Sequence, residues 1–351
     1  MPELAGRGIR LSLLCEPDCV VSIAAQSSGV NVVHWDGEQE SWLGRLMQTR
    51  QLICQLKPDL VHVHCERGDG FIFGLAARLA GVKAVLSTDS PRRINRLPRM
   101  LNHHVYNRYL SPYEFVGSRL LRRGLPDAKL SRVRLGIDPD ACRPSWTLEK
   151  FRKEFGLEAD QFVIGLHTDF SSMQEQRYLL HLLPLLTGAY AGVRVIVFGE
   201  GPLEGSLEKN LQVVDPKGVV QLARTGHDLK NLLGHLQIFL SLSTQVRPHL
   251  ELLDAQASGV PIAGINNQAT LELVAKDNRI NLVSPKDNEG LATAIKRLIY
   301  QPRQRRQLKA TGERWVRQEF ATADMAASYL EAYARTLRNR SNSSQASCEI
   351  A

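Results

Sequence analysis

The sequence predicts an α/β protein made of two doubly wound parallel-sheet domains. Short apolar runs of strand length alternate with helical stretches along both halves of the chain, the pattern of a parallel sheet covered by helices on both faces. The 351 residues exceed what one core organises and suit two domains of roughly 150 residues each. One short span, FLSLSTQVRPHLELLDAQASGVPIAGI from Phe239 to Ile265, holds a strand, a polar turn, a helix and a second strand.

In the first half the strand-like runs are Ile9 to Leu14, Val30 to Trp35, Leu60 to His64, Ala84 to Ser87, Glu114 to Gly117 and Val133 to Leu135. His64 closes the third of them and precedes the polar run Cys65 to Gly70, so it reads either as a cleft residue or as a histidine satisfied by backbone. A charged helical stretch from Thr147 to Asp160 follows Pro144 and reads as a hinge. The second-half strands are Phe162 to Leu166, Val193 to Phe198, Val219 to Leu222, Ile238 to Leu242, Ile262 to Ile265 and Ile280 to Val283, a doubly wound sheet of nucleotide-binding type. Helices from Arg303 to Phe320 and Ala323 to Leu337 complete the pattern. The polar, Ser/Asn-rich residues from Arg338 onward have the composition of a disordered tail.

Within the Phe239 to Ile265 span, Pro248 stands at a first helical position, Gly259 is a left-handed stop and Pro261 a terminator. A strand feeding a helix N-terminus leaves unpaired N–H groups and a positive dipole end, a place for a phosphate or simply for water. Gly199 and Gly201, in VFGEGPLEGSLEK, permit close backbone approach at another strand end.

Composition narrows the function classes. No window approaches 18 consecutive apolar residues, and MPELAGRGIR lacks the apolar core of a signal peptide, so a cytoplasmic protein is expected. The six cysteines (15, 19, 54, 65, 142 and 348) form no CxxC pairs and read as thiols rather than as a disulfide frame or zinc site. The net charge of +8 is concentrated: between Arg92 and Arg134 stand eleven Lys/Arg against Glu114 and Asp127, with leucines interleaved. That segment reads either as a contact for an anionic membrane surface, which would make the protein peripheral on the inner face of the plasma membrane, or as an amphipathic helix with a solvated basic face. Nucleic acid is not expected, for want of stacking aromatics and of a binding motif.

STQVRPHLELLDAQASGVPIAG resembles the signature of glycosyltransferase family four, retaining nucleotide-sugar transferases of the GT-B fold. So do PDLVHVHCERGDGFIFGLAARLAGVKAVLSTDS (Pro58 to Ser90), GLPDAKLSRVRLGIDPDACRP (Gly124 to Pro144), VFGEGPLEGSLEK, and DLKNLLGHLQIFLSLST (Asp228 to Thr244). The resemblance implies two Rossmann-like domains facing a cleft: an acceptor-side domain at 1–145 and a donor domain at 146–321. A helix at 322–338 would cross back to the first domain, ahead of a tail at 339–351. It implies a sugar transferred from a nucleotide-sugar donor to a glycan or lipid-linked acceptor in surface polysaccharide or lipopolysaccharide synthesis, with no cofactor and no metal. His64 takes the place of a histidine near the transferred sugar. Gly199, Gly201, Arg247, His249 and Asp254 fall on the donor side, Asp254 suiting a ribose diol.

Departures from the family pattern favour a second reading, a catalytically silent GT-B protein that binds a glycan, a nucleotide or a partner enzyme. Val246 replaces the first of two glutamates, and Asp169, Gln174 and Glu175 stand where the family has an Arg and a Lys-Gly that neutralise diphosphate; Arg177 either reaches back to compensate or faces solvent on its helix, and Arg247 is the other cation placed to compensate. The family's first strand and Gly-rich turn are missing before GRGIRLSLLCEP. Either the start lies upstream or that turn is lost, and a lost central strand leaves sheet edges unpaired.

Overall fold

The computed structural model describes residues 2–17, 19–35, 41–64, 70–88, 104–215, 217–223, 229–245 and 249–338. The chain forms two units. One is Met1–Gly136 with the segment from Thr322, and the other is Ile137–Ala321. The change of unit thus comes between Gly136 and Ile137, ahead of the expected 145/146 boundary, and the charged helix read as a hinge lies inside the second unit.

The first unit runs α1 (Pro2–Ala5), β1 (Ser12–Cys15), α2 (Val20–Ser27), β2 (Asn31–His34), α3 (Trp42–Leu56), β3 (Leu60–His64), α4 (Gly70–Leu79), β4 (Lys83–Ser87), β5 (Arg108–Ser111), α5 (Glu114–Arg122) and β6 (Leu130–Arg132). Its parallel strands make two sheets: β1 with β2, and the four-stranded β3-β4-β5-β6. Among the described residues no strand joins β1 to β3, so each keeps one edge without a partner.

Glu114 to Gly117, expected as a strand, is the first turn of α5. Tyr113 stands extended before it, Glu114 suits the positive helix end, and Val116, Gly117 and Leu120 are buried at helical spacing. The strand of this region lies upstream at β5, hidden from a hydropathy reading because it opens on Arg108, which is buried. The Arg108 guanidinium bonds neutral hydroxyls, Thr336 at 3.2 Å and Ser131 at 2.9 Å. Likewise β6 forms at Leu130–Arg132, not at Val133 to Leu135.

The second unit runs α6 (Leu148–Glu154), β7 (Phe162–His167), α7 (Met173–Ala189), β8 (Val193–Phe198), α8 (Glu204–Val214), β9 (Val220–Leu222), α9 (Leu229–Leu233), β10 (Ile238–Ser241), α10 (Leu250–Ala257), β11 (Ile262–Ile265), α11 (Gln268–Leu273), β12 (Leu282–Val283), α12 (Asn288–Tyr300) and α13 (Pro302–Glu319). One six-stranded parallel sheet results, ordered β12-β11-β10-β7-β8-β9. Ile164, Val195, Ile238 and Ile265 are wholly buried in its core against Leu182, Leu186, Ile295 and Leu298 of the covering helices. Ile280 and Asn281 belong to a 3₁₀ turn, which shortens the last expected strand to Leu282–Val283.

The chain then returns to the first unit as α14 (Thr322–Arg338). Ala332 packs with Val85, Leu110 and Val133, and Lys83 Nζ donates to the Thr336 carbonyl at 2.8 Å. The tail beyond 338 lies outside the described residues.

The first part of the basic segment, 92–103, also lies outside them. In the described part, Arg108 is buried, Lys129 Nζ donates to the Tyr106 carbonyl at 3.1 Å and Arg132 pairs with Glu114 at 3.1 Å. Leu110, Leu120 and Leu125 are buried as well. These leucines therefore serve the core, and within this part α5 is amphipathic, with Val116 and Leu120 buried and Arg119 and Arg122 exposed. No helix among the described residues is long and apolar enough to cross a membrane.

Candidate functional site

In the second unit β7, β8 and β9 are laid down in one direction, and β10 returns to the other side of β7. The reversal between β7 and β10 is a topological switch point, where the two following connections part and leave a crevice at the carboxyl ends of the strands. His167 ends β7 on one side of this crevice, and His249 and Glu251, at the start of α10, stand on the other.

A cluster absent from the sequence reading occupies this edge. Glu251, in the first turn of α10, takes a hydrogen bond from His249 Nδ1 at 2.9 Å and has His167 Nδ1 at 3.7 Å, an ion-pair approach beyond hydrogen-bond range. Burial by itself would push the Glu251 carboxyl up, but the imidazoles of His167 and His249 outweigh it and hold the carboxyl well below the usual carboxylate range. His249 Nε2 meets the Gln245 carbonyl at 3.3 Å. Both of its nitrogens thus face acceptors, so a doubly protonated ring makes both bonds and a neutral ring only one. The signal was present as His249-x-Glu251 with Glu251 three residues before Asp254, which places the two carboxylates on neighbouring positions of one helix face.

His249 was expected on the donor side. It is 1% exposed and spent on internal bonds, so it can hold the turn but not touch a ligand. Arg247, with Val246 and Pro248, lies outside the described residues. Asp254 is half-buried and accepts from the Cys142 thiol at 3.3 Å, while Ser258 Oγ donates to the Cys142 carbonyl at 2.8 Å. The segment before α6 is thereby tied along α10. Gly259 ends that helix with φ +73, as its place in the sequence suggested.

Gly199 and Gly201 do serve a close approach, but to the protein's own backbone. A Cβ on Gly199 would stand 1.8 Å from the Thr168 carbonyl oxygen, and one on Gly201 would stand 1.9 Å from that of Asp169. The two glycines seat the turn after β8 against the turn after β7.

That β7–α7 turn is stitched by acidic groups. Asp169 Oδ1 accepts from the Ser171 amide at 3.1 Å and from its hydroxyl, while Glu175, 5% exposed, accepts from Thr168 Oγ1 at 3.0 Å. Ser172 caps the helix at the Glu175 amide, and Gln174 Oε1 accepts from Thr244 Oγ1 at 3.4 Å. An acid of the chain itself therefore stands at the positive end of α7.

In the first unit His64 is exposed at the end of β3, and its ring lies 4.0 Å from that of His62. His62 Nδ1 meets Tyr333 Oη at 2.6 Å and Nε2 meets Ser87 Oγ at 2.7 Å. Burial, reinforced by the neighbouring His64, holds His62 well below the usual histidine range. The run 65–69 after His64 lies outside the described residues.

A family model described as "Glycosyl transferases group 1" matches residues 161–301, and one described as "Glycosyl transferase 4-like" matches residues 1–119. Among curated proteins, Bacillus subtilis (strain 168) EpsD is 21% identical over 76% of this chain and 74% of its own, and EpsF of the same strain is 27% identical over 57% and 56%. Among solved structures, a glycosyltransferase from Rickettsia africae ESF-5 superposes with TM-score 0.83 at 15% identity, covering 96% of this chain and 94% of that one. Anabaena HepE in complex with UDP and glucose gives 0.81 at 15% identity, covering 95% and 94%. These structural likenesses establish the fold of two Rossmann-like domains. With a glycosyltransferase group 1 model on its second half, a glycosyltransferase 4-like model on its first and GT-B structures superposing on the whole, the chain belongs to the family-four glycosyltransferases of the GT-B fold.

Proposed function

We propose that the chain takes a nucleotide-sugar as donor at the carboxyl edge of its six-stranded sheet, and that the acceptor is a glycan or lipid-linked glycan of a surface polysaccharide. One observation carries the donor reading: at the switch point between β7 and β10, His167 at the end of β7 meets Glu251 in the first turn of α10, polar groups converging where a doubly wound sheet binds ligands, with Asp254 one turn further along the same helix. In this reading the Asp254 carboxylate accepts from the ribose hydroxyls, exchanging the weak thiol bond of Cys142 for two stronger ones. Diphosphate lies toward the N-terminus of α10. HepE, whose fold is similar, is held in complexes with UDP and with UDP-glucose. The acceptor class rests on the family alone.

The acidic stitching of the β7–α7 turn favours a second reading, a silent family member whose phosphate-neutralising end is filled by Asp169 and Glu175. Isothermal titration against UDP, GDP and ADP separates the two. For a donor-binding protein, the wild type is expected to bind one of them at sub-millimolar concentration. The change Asp169→Arg with Gln174→Lys is expected to tighten binding by about tenfold or more, since it removes a like charge and adds two opposite ones. No binding by the wild type at millimolar nucleotide, with binding by the double variant, would establish the silent reading instead.

A further inference from the structure

Resting on the donor-site reading, we propose that His167 is the cation that contacts the donor diphosphate in this chain, with Glu251 as its positioning residue and His249 as the anchor of Glu251. The geometry selects His167 among the three. Its Nδ1 is closed off from solvent, has no hydrogen-bond partner and looks toward Glu251 at 3.7 Å, yet 30% of the side chain remains exposed. The inward nitrogen is thus reserved for the carboxylate, and the opposite edge of the ring, with Nε2, is the part left for a ligand. Glu251 is 16% exposed and His249 1%, so the order of accessibility runs from ligand contact to orienter to anchor.

A carboxylate facing one nitrogen of an imidazole favours the imidazolium and aims the other N–H outward, which makes a charge-assisted donor for a phosphate oxygen. Such a donor is required here. The β7–α7 side of the crevice offers Asp169 and a buried Glu175, both negative, in place of cations, whereas His167 ends β7 and leans toward the β10 side, where the α10 dipole is positive. Among the described residues, Glu251 of α10 is the charged group against His167, with His249 at the N-cap of that helix bonded to the same carboxylate; Asp169 and Glu175 follow His167 in the chain, and Glu200 stands in the turn after β8 that packs on Thr168 and Asp169. Among these described groups His249 is the basic one, and it is committed to Glu251 and Gln245.

The test is titration of UDP, GDP and ADP, with uridine, guanosine and adenosine as phosphate-free controls, into wild type, H167A, H167Q and E251Q at about pH 6 and about pH 8. At the lower pH, H167A and H167Q are expected to lose about ten- to a hundredfold in affinity for the nucleotide that the wild type binds, the worth of one charge-assisted bond. The loss is read against wild type at each pH. The ligand's own titration is common to all variants and cancels in this comparison. E251Q is expected to fall between wild type and H167Q, and affinity for the bare nucleoside to stay unchanged in all. Equal nucleotide affinity of wild type and both His167 variants at both pH values overturns the proposal and leaves the donor reading standing. A matching loss of nucleoside affinity overturns it too, because the ring would then be supporting the turn and not the phosphate. Wild type that binds no nucleotide at all removes the donor reading itself.

Discussion

Gly199→Ala is expected to destabilise the second unit by at least about 3 kcal/mol, equivalent to a fall in melting temperature of roughly 6 to 12 °C. Two costs add. The backbone at Gly199 has φ +119, a conformation that L side chains rarely adopt, and the new Cβ would stand 1.8 Å from the Thr168 carbonyl oxygen. Neither relaxes independently, because moving Gly199 away from Thr168 also moves Gly201, which is seated as tightly on Asp169. Thermal and chemical denaturation of the purified variant measures the effect. A midpoint within a degree of wild type would show that the two turns separate freely, and the packing role given to the glycines would be wrong.

Glu251→Ala is expected to cost about 2 to 3 kcal/mol at neutral pH, because it strands the buried Nδ1 of His249 without an acceptor. The pH dependence follows from the direction of the shift. The folded-state carboxyl titrates below its unfolded value of about 4.3, so its contribution is fully present above that value and is lost as the pH falls through the lower folded one. The gap between wild type and variant should therefore hold from pH 7 to about pH 5 and narrow below about pH 4. Denaturant midpoints at three pH values decide the matter, and a gap that widens in acid would contradict the ion-paired state.

Much of the second unit was legible in its sequence. Its strands are buried on both faces, so they appear as mostly apolar runs: FVIGLH, VRVIVF, IFLS and IAGI lie within a residue or so of where hydropathy puts them. The first unit resisted where burial and hydropathy part company. Arg108 is polar yet buried, because hydroxyls of Ser131 and Thr336 reach its guanidinium, while Phe115 and Val116 are apolar and sit on a helix face. The site was only partly legible for a related reason. Gly199, Gly201 and Asp254 stand out through chain-local spacing, but the role of the glycines depends on Thr168 and Asp169, some thirty residues away. His167 and Glu251 are joined only by the pairing of β7 with β10, which no local pattern encodes.

The return of α14 to the first unit sets an order for the growing chain. His62 bonds Tyr333 across 271 residues, Lys83 bonds Thr336 across 253, and Arg108 bonds Thr336 across 228. The second unit, Ile137–Ala321, is continuous and can close as soon as it leaves the ribosome, while the sheet face bearing Val85, Leu110 and Val133 must wait for Ala332. At about 5 to 20 residues per second, synthesis of the roughly 200 residues from Gly136 to Arg338 leaves that apolar face open for roughly 10 to 40 s. A nascent chain stalled after Ala321 should accordingly resist protease in its later portion and be cut in its earlier one. The half made first would be the half finished last, and for that interval it is the part of the molecule most in need of a chaperone.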